Sequence, residues 1–139
     1  AGATAPISPA LARHFRDLPR FLSMGEKEAV AAISKLGYDD PATAPTTLVT
    51  PFVVPSVMTA FFWFLRHPDD WRETVGGCLR SGGDVDTIAS IGGGISGAFN
   101  GIEAIPEALR ETVVDRDRLI DLADRLHTLK EAVRSRRGA

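Results

Sequence analysis

Residues 82–101 read Gly82-Gly83-Asp84-Val85-Asp86-Thr87-Ile88-Ala89-Ser90-Ile91-Gly92-Gly93-Gly94-Ile95-Ser96-Gly97-Ala98-Phe99-Asn100-Gly101. From Val85 to about Asn100 the pattern predicts a helix, and one unusually rich in small residues. Small side chains let a neighbouring backbone come close, so this helix is expected to pack tightly against its partners. Gly92, Gly94 and Gly97 formally match G-x-G-x-x-G, but no strand precedes them and none follows at βαβ distance. Elsewhere no segment alternates apolar and polar residues, and Asn100-Gly101 follows a helical segment instead of joining two β-branched runs. The fold class read from these patterns is all-α, an orthogonal multi-helix bundle.

Working outward, the same signals place the other helices. Ser8-Pro9 is a cap with proline at the first helical position, opening a short helix that Pro19 is expected to stop. Ser23 and Glu26 have capping-box spacing before a helix over 27–36, which Gly37 closes in the left-handed conformation. The run 38–47, with Asp39, Asp40, Pro41 and Pro45, reads as a loop. Thr50-Pro51 starts an apolar helix that runs to about Arg66, where His67-Pro68 ends it. Asp69 and Asp70 open the next, with Trp71, Val75, Cys78 and Leu79 at helical spacing, and Ser81-Gly82-Gly83 closes it. The last helix, roughly Asp115 to Arg134, carries Leu119, Leu122, Leu126, Leu129 and Val133 on one stripe. Arg134, Arg136 and Arg137 then complement the helix dipole as a solvated end. The chain reads as one helical domain or half-domain, 1–139.

Composition bounds the function. The chain has 139 residues, enough for one domain with a real core. Sixteen basic against eighteen acidic residues argue against a general nucleic-acid binder. The single cysteine, Cys78, excludes an internal disulfide and a cysteine zinc cluster, and suggests a reducing, cytoplasmic setting. The apolar stretch 52–65 is shorter than a membrane span and is interrupted by Pro55, Ser56 and Thr59. No secretory leader is visible, and a start at Ala1 suggests a processed or shortened piece. His14, His67 and His127 are too far apart to act as a ligand set and are expected at the surface or at helix ends. Trp63, Trp71 and Cys78 are expected in the core. A helix as apolar all round as 52–65 needs cover on several sides, so a second chain, a missing half or self-association is expected.

The chemistry concentrates in Gly82-Gly83-Asp84-Val85-Asp86-Thr87. The diglycine allows a tight turn and close approach of another group. Asp84, Asp86 and Thr87 then offer only oxygen donors, a set that suits a hard cation such as magnesium and not zinc. A second reading stays open: Asp84 as a plain helix cap, with Asp86 in the first turn facing the helix dipole. An EF-hand is excluded, because Ile88 occupies the fifth position and no glycine the sixth. An aspartyl phosphotransfer motif would follow a hydrophobic strand, whereas Arg80-Ser81-Gly82-Gly83 precedes this one.

The run from Gly82 to Gly101, continuing as Ile102-Glu103-Ala104-Ile105-Pro106, resembles the C-terminal signature of the ADP-ribosylglycohydrolase family, whose Gly-Gly-Asp-x-Asp-Thr is followed by a small-residue helix ending Gly-Ala-x-x-Gly. The likeness is strongest over 46–109, and Lys35-Leu36-Gly37 and the helix from Val54 to Leu65 are similar as well. It implies an all-α fold holding a binuclear magnesium centre that helps cleave ADP-ribose from a modified side chain. By that resemblance Asp84, Asp86 and Thr87 are metal ligands, Asp86 bridges the two ions, and Gly82 and Gly83 form the turn beside the substrate. The implied partners are an ADP-ribose-type ligand or an ADP-ribosylated protein, with no nucleic acid and no membrane. The family's N-terminal Gly-Asp-x-x-Gly and Thr-Asp-Asp-Thr runs are missing here, and Asp39-Asp40, before Pro41, does not replace them. No catalytic residue is assigned, and the chain reads as the C-terminal half of such an enzyme. The rival class is a non-catalytic helical interaction or regulatory module that kept the fold.

Overall fold

A computed structural model describes residues 9–40, 42, 44 and 48–138. The described residues are helical, with no strand among them, and their contacts divide into two compact units, Ala1–Ala104 and Ile105–Ala139. In the first unit the helices are α1 (Pro9–Phe15), α2 (Leu18–Leu22), α3 (Glu26–Ile33), α4 (Val53–Arg66), α5 (Trp71–Arg80) and α6 (Val85–Asn100), followed by a 3-10 turn at Ile102–Ala104. The second unit holds α7 (Glu107–Glu111) and α8 (Arg116–Gly138). Asp115, at φ 58°, turns the chain between them, a left-handed conformation that aspartate tolerates better than most residues.

The sequence places α6 with both ends correct, and α4 and α5 to within a few residues. Several local signals were outcompeted. Pro19 does not stop a helix but sits in the first turn of α2, where its missing N–H costs nothing. The capping box at Ser23 and Glu26 does not form: the Ser23 hydroxyl donates instead to the Arg20 carbonyl, closing α2, and Gly25 precedes α3. Thr50 does not cap α4, which starts three residues later, after Phe52. Ser8 lies outside the described residues, as do parts of the loop 38–47. The short 3-10 turn and α7 carry no periodic pattern long enough to announce them.

The core forms around α4. Met58, Ala60 and Phe62 are fully buried and Trp63 nearly so, with α5 and α6 packed on this helix and α1, α2 and α3 covering its other sides. Much of the cover that the apolar helix requires therefore comes from this chain, while Phe52, Val53 and Leu65 stay exposed. Trp63 spans the α4–α5 boundary: its indole N–H donates to Ser81 Oγ at 2.7 Å, and its ring lies where a side chain on Gly77 would have to go. On the α2–α3 side, the Arg66 guanidinium donates to the Leu22 and Met24 carbonyls and lies 5.7 Å from the Phe62 ring centroid. Phe15 meets Phe61 edge-on at 4.9 Å, which docks α1.

α6 closes the core by close approach. A methyl group on Gly92 would stand 2.7 Å from the Cys78 sulfur of α5, beside Thr74 and Ala60. Trp71 donates its indole N–H to the Gly93 carbonyl, and the Asn100 amide donates to the Pro68 carbonyl, so the middle and the C-terminal end of α6 are tied to α5 and the turn before it. The glycines do not share one role, however, because nothing lies within 4 Å of the place a side chain on Gly94 would take. Cys78 is fully buried, and burial pushes its thiol up to about 12, an inert group at neutral pH.

Opposite stability effects are expected from one substitution at two positions of α6. Gly94→Ala should stabilise by about 0.5–1 kcal/mol through helix propensity. Gly92→Ala should destabilise by about 1–3 kcal/mol through overpacking. Urea denaturation of the two variants beside the parent chain measures both.

His14, expected at the surface or at a helix end, lies in the last turn of α1 and is buried there. Burial, then the neighbouring Arg13 charge, lowers its pKa from the ordinary 6.5, with Asp17 opposing. The unfolded chain therefore takes up the proton first as pH falls, and the native state is penalised for it. Stability from the neutral imidazole is complete above pH 6.5 and is lost as pH drops through the lower folded value. The urea midpoint should fall more between pH 7.5 and 5.5 in the parent chain than in His14→Gln.

Candidate metal centre at the start of helix α6

The site is built by backbone before any side chain acts. Gly82 and Gly83 have φ values of 72° and 82°, the left-handed region that glycine enters without penalty. That turn swings the chain against residue 49: Val49 and Gly83 form an isolated parallel bridge, and the Asp84 N–H donates to the Val49 carbonyl at 2.8 Å. Val49 is itself buried, and any Cβ on Gly83 would collide with its carbonyl, nitrogen and carbonyl carbon. At Gly82 the obstacle is only the exposed Leu48 side chain, at 2.8 Å. The diglycine thus has two causes, a turn and a backbone contact.

Asp84 then stands at the cap position of α6, with its carbonyl accepting the first helical bond, from the Ile88 N–H at 3.1 Å. Its side chain, however, makes no capping bond. The Val85 N–H bonds to the Gly83 carbonyl across Asp84, whose φ of −79° and ψ of 58° describe an inverse γ-turn. A capping carboxylate needs extended backbone there, as Asp70 shows at the start of α5: φ −127°, ψ 100°, and Oδ1 accepting from the Glu73 N–H at 2.9 Å. The two aspartates occupy the same helical position, and only one of them caps. Between the two readings of Asp84 drawn from sequence, the γ-turn removes the plain cap.

What Asp84 does instead is face Asp86. Asp84 is half-buried, and its Oδ2 is sealed from solvent with no hydrogen-bond partner among the described residues. Asp86 and Thr87 are exposed in the first turn of α6. A hydrogen bond from the Asp84 carboxyl, then the backbone N–H groups of Thr87 and of Asp86 itself, hold the Asp86 carboxyl below the usual range. Asp86 therefore does use the N–H groups at the helix start, as its first-turn position suggested. A hydrogen bond between two carboxyl groups needs one proton between them. A cation can take the place of that proton between two carboxyl groups. The donor set, two carboxylates and the Thr87 hydroxyl, fits a hard divalent cation. Among the described residues no cluster of three or more His, Cys, Asp or Glu side chains is placed to hold a metal. Sequence reasoning found the three side chains but missed Val49, whose backbone positions them from 35 residues upstream of Asp84.

With this geometry in view, comparison with known proteins identifies the family. The ADP-ribosylglycohydrolase family model matches residues 3–136, and the chain belongs to that family. It is similar to the ADP-ribosylhydrolase ARH3 of mouse (Mus musculus), 35% identical over 82 residues that cover 52% of this chain and 22% of the mouse protein. The zebrafish (Danio rerio) ARH3 is 36% identical over 83 residues, 55% of this chain and 22% of that protein. The human (Homo sapiens) ARH3 is 34% identical over 82 residues, 52% and 23%. No solved structure matches the chain. The matched stretch spans 22–23% of the length of these curated relatives.

If the Val49 backbone is what requires glycine, Gly83→Ala should cost about 1–3 kcal/mol of stability, from left-handed strain and the collision together. Gly82→Ala should cost less, because the Leu48 side chain is free to swing away. Thermal unfolding of both variants checks the order.

Proposed function

We propose that this chain is the metal-binding C-terminal portion of a magnesium-dependent ADP-ribosylglycohydrolase, an enzyme that removes ADP-ribose from modified protein side chains or related conjugates. One observation carries the proposal. Asp84 stands at a cap position without capping, with one carboxylate oxygen buried and unpartnered among the described residues and its carboxyl hydrogen-bonded to that of Asp86. Leaving such an atom unpaired costs about 1–3 kcal/mol. Functional sites are where such costs are kept.

In this reading Asp84, Asp86 and Thr87 are the ligands, and Asp86, in the first turn of α6, bridges two ions. Gly82 and Gly83 form the turn beside them and contact the substrate. Bound divalent ions would supply polarisation of ribose oxygens and of a water, and would offset negative charge in the transition state. Three side chains cannot fill two octahedral shells, so waters and groups outside this chain complete the centre. Those groups come from a missing N-terminal half, a second chain or self-association. A cytoplasmic location accords with the lone, buried and inert thiol of Cys78.

Calorimetric titration of this chain with magnesium should show weak binding, on the order of millimolar, as an incomplete shell requires. Asp86→Ala should remove it. Asp84→Asn separates ligand from structural prop: it should leave the melting temperature of the metal-free chain nearly unchanged, because the amide keeps a hydrogen bond to Asp86, and abolish the rise that magnesium produces. A lower melting temperature in Asp84→Asn, with no magnesium effect in the parent chain, would favour the non-catalytic helical module. In a complete assembly, Asp86→Ala should abolish magnesium-dependent release of ADP-ribose.

A further inference from the structure

The strap that holds the turn at Asp84 is itself held by side chains from two other places. Residues 48–52 form no helix, yet the Val49 carbonyl within them accepts from the Asp84 N–H at 2.8 Å. Pro51 has no N–H with which to anchor the strap, and the bonds fall on Thr50. The Thr50 carbonyl accepts from the Ser56 hydroxyl at 3.0 Å, and Ser56 is buried in the first turn of α4. The Thr50 hydroxyl shares a hydrogen bond of 2.6 Å with the Tyr38 hydroxyl and accepts a longer one, 3.4 Å, from the Phe52 N–H. A threonine hydroxyl has one proton and two acceptor sites, so it makes both bonds at once.

Tyr38 arrives by a close approach of its own. It follows Gly37, whose φ of 79° turns the chain after α3. A Cβ on Gly37 would stand 2.8 Å from the Phe52 ring and 3.0 Å from Val54, so this turn is pressed against the strap and the start of α4. The half-buried Tyr38 ring lies 5.1 Å from the Phe52 ring, tilted by 51°. Its hydroxyl is therefore delivered by packing on both sides of the Tyr38 backbone, not by a freely swinging side chain. A continuous path of contacts results: Tyr38 to Thr50 by hydroxyls, Thr50 to Val49 by one peptide unit, and Val49 to Asp84 by backbone. The Val49 carbonyl and the Thr50 N–H share one planar peptide unit, so ties on the Thr50 side chain and carbonyl restrict where the Val49 carbonyl points.

We propose that Tyr38 is a positioning residue for the turn that carries the candidate metal ligands: through Thr50 it aims the Val49 carbonyl that holds Asp84. Its consequence for metal affinity rests on the reading of Asp84, Asp86 and Thr87 as ligands; its consequence for the geometry of the turn does not. Ligands need their supports fixed to within about 0.5 Å. Losing the direct hydrogen-bond partner of a ligand typically costs about 10–100-fold in metal affinity. Tyr38 acts one residue further out than Val49, so its effect is smaller.

The test follows backbone amide signals of the whole isotope-labelled chain by nuclear magnetic resonance, first without metal. Tyr38→Phe keeps the ring against Phe52 and removes only the hydroxyl. The Asp84 amide proton should then move upfield, because its bond to Val49 lengthens, while the signals of Gly92 and Ser96 further along α6 stay in place. Thr50→Val should reproduce that shift, Thr50→Ser should leave the parent signal, and Tyr38→Phe with Thr50→Val should move it no further than Thr50→Val alone. Titration with magnesium chloride, read at the Asp86 and Thr87 amides, should show affinity about threefold weaker in Tyr38→Phe and parental in Thr50→Ser. An unmoved Asp84 signal in Tyr38→Phe overturns the proposal, even where the urea midpoint falls, because the bond is then a plain structural tie. Thr50→Ser behaving like Thr50→Val overturns it, and so does a shifted Asp84 signal with parental magnesium affinity. If the parent chain binds no magnesium, the ligand assignment fails, and the Asp84 signal alone decides whether Tyr38 holds the turn.

Discussion

The backbone contact between Gly83 and Val49 is the constraint on which the site depends. It excludes any Cβ at residue 83, fixes the left-handed turn, and delivers Asp84 into an inverse γ-turn at the head of α6. Because that turn is not the extended geometry of a cap, the carboxylate is turned away from the helix N–H groups and towards Asp86. A single close approach of two main chains thus converts an ordinary cap residue into a candidate ligand. Its partner segment, at residue 49, leads directly into α4, so the core and the site share an anchor.

The core is organised by the same economy of space. Gly77 lies against Trp63, and Gly92 lies against Cys78, so α5 and α6 come closer to α4 and to each other than side chains would allow. Interiors are packed nearly as densely as crystals, and a single methyl group at either place has nowhere to go. Several polar groups enclosed by this approach are matched: Trp63 to Ser81, Ser81 onward to the Gly77 carbonyl, Thr74 to the His67 carbonyl. Thr59 Oγ1, His67 Nε2 and Asp84 Oδ2 are buried without a hydrogen-bond partner among the described residues. The family match over residues 3–136 includes this turn and the helix that follows it.

The helices that read cleanly from sequence are those whose signals do not depend on distant contacts. α6 announces both ends, α4 ends at His67-Pro68, and α5 begins at an aspartate that does cap. Ser23 and Pro19 misled because two adjacent short helices compete for the same residues: the Ser23 hydroxyl is drawn to the end of α2 before it can start α3. His14 lies at a helix end as expected, but a lone histidine shows nothing of its burial until α1 is docked through Phe15 on Phe61.

By itself the sequence determined the helical class, the small-residue character of α6, the oxygen donors at Asp84, Asp86 and Thr87, and the heptad spacing of α8. Each of these rests on residue type and near-neighbour periodicity. Only the tertiary structure decided that Asp84 does not cap and that Gly92 is enclosed while Gly94 is open. Those outcomes turn on which backbone approaches from far along the chain, and a one-dimensional pattern carries no information about the distance between residue 49 and residue 83.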